Sequence, residues 1–236
     1  MIDPLGPVCL AGASLIASGE VHHLYVRHHH PDRKVTSELY SFARSSCWLL
    51  AGGMLARGLV LVLNLPLVWA LACGDLMTTV LLSMLGALTS RAEAGCALYS
   101  PSCQYYAYSA LQALLWLSGI AVIALRFEGI SVHTIRGSEC LLYLLGFGGR
   151  AVYLFRHLEV FVVDPLRQSR VRTVWQSLAT LCTLLGAVGI FQLAQTQMPG
   201  ADWGTTLCHW AAALYLQQAV TPLHRKPPTL APKVVT

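Results

Sequence analysis

Two arginines interrupt otherwise apolar stretches of this sequence and are the first residues whose chemistry needs an explanation. Arg57 lies within residues 47–73 and Arg150 within residues 140–155. A charge inside a long apolar helix is a functional hypothesis by default. The structural alternative is that the long arginine stem carries its head to the end of the helix. We favour this alternative for both arginines, because each lies nearer the basic end of its run.

A path for an anion or a small solute would need further polar groups that meet halfway along such runs. The sequence offers five candidates for it: Arg57, Asn64, Gln112, Thr180 and His209. A haem held between helices usually needs two axial ligands, and His209 is the one histidine within a run. We therefore interpret His209 as a hydrogen-bonded packing residue, and we predict no cofactor.

The densest polar feature is a histidine tract near the start of the chain, formed by His22, His23, His28, His29 and His30. Histidine tracts can bind metal ions. Here Pro31 follows the tract, its neighbours are basic, and no second ligand cluster occurs at a fixed spacing. We favour a solvated or headgroup-facing loop and keep a metal site as the weaker alternative.

Cys96 and Cys103 flank a Tyr-Ser-Pro turn and are close enough in sequence to close a small disulfide loop. Disulfides are disfavoured in the cytosol. The pair is therefore expected to stay reduced if this loop faces the cytosol, and to oxidise if it faces an oxidising compartment.

No catalytic constellation accompanies these residues, so an enzyme is disfavoured. The sequence has no HExxH metalloprotease motif, no phosphate-binding Walker loop and no paired carboxylates. All 11 acidic residues are expected outside the cores of the apolar runs, and only Glu139 touches an edge. Cation-coupled transporters typically place a carboxylate in the membrane, so this pattern argues against a cation pump.

The elements that must position these residues are membrane helices. The chain is 55% hydrophobic and only 11% charged, with a mean hydropathy of +0.56, whereas soluble domains carry about 25% charged residues. The apolar runs are continuous rather than alternating, which favours helices over a barrel. We therefore predict an all-α, polytopic transmembrane helical bundle.

About 20 apolar residues cross a bilayer as a helix. On this basis residues 1–221 form one helical domain, and residues 222–236 form a Pro-containing basic tail. A tight turn at Gly74-Asp75 separates the first two runs, and Asn64-Leu65-Pro66 is the alternative turn. Residues 5–19 would make a seventh span. The six predicted spans are 47–73, 76–90, 104–125, 140–155, 174–194 and 203–221.

The basic residues orient this arrangement. Twelve of the 16 lie on one side of a six-span topology, and only Arg126 and Arg136 lie on the other. The positive-inside rule then places the basic loops and the C-terminus on the cytoplasmic or matrix side. The organelle itself is left open.

Function is less constrained than fold. The sequence favours a non-catalytic structural or accessory subunit of a larger membrane complex, because the spans have a modest polar content. A small-solute or anion transporter or channel is the alternative, and a seven-helix receptor-like protein is the second. Expected partners are membrane lipids, some of them bound, and other membrane subunits. Nucleic acid is excluded because no basic patch is interleaved with aromatic residues.

Overall fold

The computed structural model describes residues 3–29, 38–95, 101–156, 165–195, 197–198 and 200–220. All regular structure in this part of the chain is helical, which confirms the all-α prediction. The seven helices described are α1 (Leu5–His29), α2 (Glu38–Val62), α3 (Leu67–Gly95), α4 (Pro101–Phe127), α5 (His133–Arg156), α6 (Pro165–Ala194) and α7 (Ala201–Val220).

Successive helices run in opposite directions. The connections 63–66 and 128–132 and the described residues between α6 and α7 therefore lie at one end of the bundle, which we call the turn end. α1 begins at the turn end, because Gly6 packs against Leu61 and Val62 in the last turn of α2. At the opposite end, which we call the tail end, Arg44 near the start of α2 pairs with Glu20 of α1.

The connection between α2 and α3 corrects two predicted span boundaries. The turn lies at Asn64-Leu65-Pro66 rather than at Gly74-Asp75. Asn64 adopts a positive φ of 53°, and the main-chain N–H of Leu65 donates to the carbonyl of Val60 at 2.9 Å. This is a helix C-cap, and the proline that follows prevents the helix from continuing. The predicted spans 47–73 and 76–90 are therefore wrong in their bounds, and Asp75 lies inside α3.

The N-terminal segment, predicted as a short span at residues 5–19, extends into the 25-residue helix α1. It packs antiparallel to α2 through close approaches at glycines. Gly58 of α2 lies against Leu10, and Gly12 of α1 lies against Met54. α1 therefore runs beside α2 over most of the length of both helices.

α3 forms the centre of the bundle and α4 its edge. α3 packs against α2, α4, α5, α6 and α7, whereas α4 packs chiefly against α3. The apolar stretch Leu67–Thr89 of α3 is 83% buried, and Tyr106–Phe127 of α4 is 22% buried. Leu114, Leu117 and Ile120 consequently leave a wide apolar face of α4 open.

Three helices in the described part of the chain are long and apolar enough to cross a membrane, fewer than the six predicted. These stretches are Ser41–Val62, Leu67–Thr89 and Tyr106–Phe127. A shorter apolar stretch, Leu178–Ala194, lies in α6. Charged and polar side chains such as Arg136, Glu139 and His209 interrupt the apolar character of α5 and α7.

Candidate functional site: a buried network of charged side chains

A carboxylate lies in the middle of the bundle. Asp75 is fully buried on α3, eight residues after the start of the helix, or about 12 Å along its axis. Arg126, near the end of α4, is 6% exposed and donates from Nε to Oδ2 and from Nη2 to Oδ1, the latter at 3.2 Å. Such two-pronged pairs are the stronger kind of ion pair. The expectation that no carboxylate enters a span core is therefore wrong for the apolar stretch of α3.

Arg136 extends this pair to α5. Its side chain is fully buried, and its guanidinium donates to the main-chain carbonyl of Asp75, to the hydroxyl of Thr79 and to Glu139. Glu139 also accepts from the hydroxyl of Ser118 on α4 at 2.6 Å. The three helices α3, α4 and α5 thus share one hydrogen-bonded system.

A glycine brings α4 close enough to α3 for these contacts. A Cβ atom at position 119 would overlap the side chain of Thr79, the residue that accepts from Arg136. Small residues permit such close approach between helices in membrane proteins. The sequence Ser118-Gly119 on α4 therefore supplies one polar contact and removes one steric obstacle.

A second ion pair joins α2 to α7. Arg57 is 1% exposed and pairs through Nη2 with Oδ1 of Asp202, which is 30% exposed. Gln195 also donates to this carboxylate at 2.9 Å. Arg57 lies against the backbone of α3, where a Cβ at Gly74 would come within 3.2 Å of Nη1. The arginine is therefore enclosed rather than directed to a helix end, contrary to our preferred structural interpretation.

His209 lies fully buried on α7. It contacts α3 at Thr78, about one helical turn after Asp75. Its Nε2 is 2.9 Å from the hydroxyl of Thr78, and that hydroxyl lies 3.1 Å from the main-chain carbonyl of Gly74. The assignment that satisfies both contacts has the threonine hydroxyl donate to the Gly74 carbonyl, which can only accept, and Nε2–H donate to Thr78. With this assignment, the neutral imidazole has its lone pair on Nδ1.

These residues make one polar region in the half of the bundle nearer the turn end. It contains three arginines and three carboxylates and so has no net charge at neutral pH. Three of its buried nitrogens have neither a hydrogen bond nor an ion pair among the described residues: Nε of Arg57, Nε of Arg136 and Nδ1 of His209. A fourth, Nη2 of Arg57, has only its ion-pair contact with Asp202. We call the six charged residues and His209 the turn-end network: Arg57, Asp75, Arg126, Arg136, Glu139, Asp202 and His209.

A smaller polar cluster lies toward the tail end. Glu20 of α1 is fully buried, pairs with Arg44 at 2.8 Å and accepts from Gln217 of α7 at 3.0 Å. Gln217 also donates to the main-chain carbonyl of Ile16 at 2.6 Å. We call Glu20, Arg44 and Gln217 the tail-end cluster. It joins α1, α2 and α7.

The other residues singled out by sequence lie apart from the turn-end network. Asn64 is exposed in the α2–α3 turn. Arg150 lies near the end of α5, with its guanidinium carbon 6.0 Å from the ring centroid of Tyr153. Gln112 bonds to Ser83 of α3, and Thr180 to the carbonyl of Gln176 in its own helix.

The histidine tract and the cysteine pair are only partly within the described residues. His22 is exposed and His23 half-buried on α1, and no group of three potential metal ligands occurs among the described residues. The side chains of His28, His29, His30, Cys96 and Cys103 lie outside the description. The metal and disulfide hypotheses remain predictions.

Sequence reasoning identified Arg57 and His209 and missed most of their neighbours. The sequence pattern predicts loops at Asp75, Arg126 and Asp202, because each lies within a few residues of a predicted span end. The signal that places Asp75 in a helix is the Asn-Leu-Pro sequence at 64–66, which was considered as an alternative turn.

Comparison of this sequence and its fold with known proteins identifies no relative. No family model matches this sequence, and no curated protein or solved structure shows significant similarity to it.

Proposed function

We propose that this chain is a multi-pass integral membrane protein whose seven helices all cross the bilayer and carry a small solute or ion through the bundle. The observation that carries the proposal is the turn-end network. Burying charges in a membrane bundle is costly, and such residues commonly mark substrate or ion pathways. The accessory-subunit expectation depended in part on a modest polar content of the spans, and the turn-end network weakens that ground.

The packing supports seven crossings rather than three. α1, α5, α6 and α7 lie beside the three most apolar helices, and Arg136 and His209 are turned inward, away from the surface of the bundle. Helices that hide their polar groups in this way can cross lipid at lower mean hydropathy than an isolated helix. Helix α4 would meet lipid over most of its surface.

The distribution of charge supports an orientation for this topology. The three turn-end connections contain no lysine or arginine, and Arg57, Arg126 and Arg136 are buried in ion pairs. In sequence, Arg33 and Lys34 fall between α1 and α2, whose neighbouring ends lie at the tail end, and Arg167 is near the start of α6. The positive-inside rule then favours the tail end in the cytoplasm or matrix.

A flux assay tests the transport proposal. The full chain would be reconstituted in liposomes and offered a panel of labelled small solutes of both charges. We expect at least one solute to accumulate faster than in empty liposomes, and Arg57→Gln to reduce this rate at least tenfold. Arg150→Gln is the matched control, because it removes an arginine outside the turn-end network, and it should leave the rate unchanged.

An accessory subunit is the second candidate, favoured by the open apolar face of α4. That face would pack against another membrane protein instead of lipid. The test is the native mass after mild detergent extraction, with identification of co-purifying proteins. Partners at a fixed stoichiometry, together with no flux for any solute of the panel, would favour this candidate over transport.

A further inference from the structure

Three unpaired nitrogens in the turn-end network need an explanation. Arg57 and Arg136 are each at most 1% exposed and His209 is fully buried, yet Nε of both arginines and Nδ1 of the histidine have no partner among the described residues. A buried polar group without a partner loses its hydration and gains nothing in return. Buried groups in this condition are usually satisfied by a bound water or ion.

The surroundings of His209 are cationic on two sides. The guanidinium groups of Arg57 on α2 and Arg136 on α5 both lie within electrostatic range of its ring. The carboxylates nearby are already engaged: Asp75 of α3 with Arg126, Asp202 of α7 with Arg57, and Glu139 of α5 with Arg136. On α1, the thiol of Cys9 lies within electrostatic range of Arg57. The Nε–H groups of Arg57 and Arg136 can only donate, so a ligand that reaches them must accept hydrogen bonds.

The tautomer of His209 sets a condition on that ligand. Thr78 holds the proton on Nε2, so neutral His209 presents a lone pair at Nδ1, which would repel an anion. When a proton from solvent binds Nδ1, the imidazolium donates from Nδ1–H to the ligand and still donates from Nε2–H to Thr78. Protonation thus converts the one acceptor among the three nitrogens into a donor.

Charge balance sets a second condition. The network is neutral with His209 unprotonated, and an anion bound alone would leave one uncompensated negative charge in a low-dielectric interior. An anion bound together with one proton keeps the region neutral. A Cβ at Gly74 would lie 3.2 Å from Nη1 of Arg57, so little space is left on that side of the guanidinium, and a halide would fit beside it more easily than a larger organic anion.

We propose that the turn-end network binds one halide-sized monovalent anion together with one proton, with Arg57 and Arg136 as anion ligands and His209 as the proton site. The role of this anion as a transported solute rests on the proposed function, whereas its binding to the turn-end network does not. Linkage requires that the apparent affinity for the anion rise tenfold for each unit by which pH falls, while His209 is neutral in the free protein.

The test measures chloride binding and proton uptake by the full chain in detergent. Potassium chloride is titrated against potassium gluconate at constant ionic strength, at pH 5.5 and pH 8, while the thermal unfolding midpoint is followed. We expect chloride to raise the midpoint by about 2–4 °C at pH 5.5. At pH 8, the same rise should need a chloride concentration at least 100-fold higher. In weakly buffered solution near pH 7, one proton should be taken up for each chloride bound.

Variants separate the two ligands. His209→Gln should abolish proton uptake and the pH dependence of any remaining chloride effect, whereas His133→Gln, the same change at a half-buried histidine on α5, should preserve both. Equal midpoints in chloride and gluconate in the wild-type protein would overturn the proposal without any variant. Chloride binding without proton uptake would overturn it as well.

Failure of this inference can be told from failure of the proposed function. Chloride binding with proton uptake in detergent, but no flux in liposomes, would contradict transport and leave the site intact. Flux of another solute from the panel, with no chloride binding, would contradict the anion site and leave transport intact.

Discussion

The turn-end network and the tail-end cluster bury the same kinds of groups with different results. In the tail-end cluster, Oε1 of Glu20 accepts from Gln217, Oε2 has an ion-pair contact with Arg44 at 2.8 Å but no hydrogen bond, and Arg44 keeps 12% of its side chain exposed. The turn-end network involves five helices, buries Arg57 and Arg136 almost completely and leaves three nitrogens with neither a hydrogen bond nor an ion pair. A cluster whose charged groups all have at least an ion-pair contact can fix helix positions, whereas one that keeps buried groups without any contact of this kind is suited to a ligand.

The largest expected effect comes from breaking the central ion pair. Asp75→Asn removes the charge that compensates Arg126, and an unpaired buried charge costs about 3–5 kcal/mol. We expect the free energy of unfolding to fall by that amount, measured by reversible detergent-induced unfolding of the full chain. The double variant Asp75→Asn with Arg126→Gln should recover more than half of the loss, because no charge is then left unpaired. A near-neutral single variant would contradict burial of the pair.

A smaller effect is expected from the helix contact beside the network. Gly119→Ala would force α4 away from Thr79, and overpacking of this kind costs about 1–3 kcal/mol. Gly146→Ala on α5 is the matched control, because nothing lies within 4 Å of the added methyl group. The same unfolding measurement should find the control within about 0.5 kcal/mol of the wild type. Equal losses for both alanines would contradict the close approach of α3 and α4.

The tail-end cluster should tolerate the loss of its charge better than the turn-end network. Glu20→Gln keeps a hydrogen-bond acceptor for Gln217 and removes the negative charge beside Arg44, which still donates to the main-chain carbonyl of residue 20 at 3.1 Å and can reach water. We expect a loss of about 1 kcal/mol in the free energy of unfolding, within the usual range for one hydrogen bond. A loss as large as that of Asp75→Asn would remove the distinction between the two regions.

Arg150→Gln should have the smallest effect on stability. Its guanidinium lies beside the exposed ring of Tyr153 at 6.0 Å, and such contacts contribute about 0.5–1 kcal/mol at exposed sites. We expect a loss of at most that size in the same unfolding assay. A loss above about 2 kcal/mol would show that Arg150, like Arg57, is a structural part of the bundle interior.

Burial separates the two arginines that looked alike in sequence. Arg57 and Arg150 each follow paired glycines in an apolar run, and the same helix-end interpretation was given to both. In the fold, Arg57 packs between α2, α3 and α7, whereas Arg150 lies half-exposed near the end of α5. Hydropathy cannot separate them, because it records the neighbours along the helix and not those across it.

Local sequence patterns are enough to show that the protein is helical and suited to a membrane. Continuous apolar runs leave the backbone no partner but its own helix in lipid, and the Asn-Leu-Pro sequence, our alternative turn, carries the chemistry of a helix end. These signals depend only on local neighbours, so they can be read from the chain.

Which charges meet depends on the assembled fold. Asp75 pairs with Arg126, 51 residues away, and Arg57 with Asp202 on the last helix. Such pairings depend on how far each helix is rotated about its axis and on which glycines let two helices approach. Because rotation is set by packing among all seven helices at once, the turn-end network emerges only when the bundle is assembled.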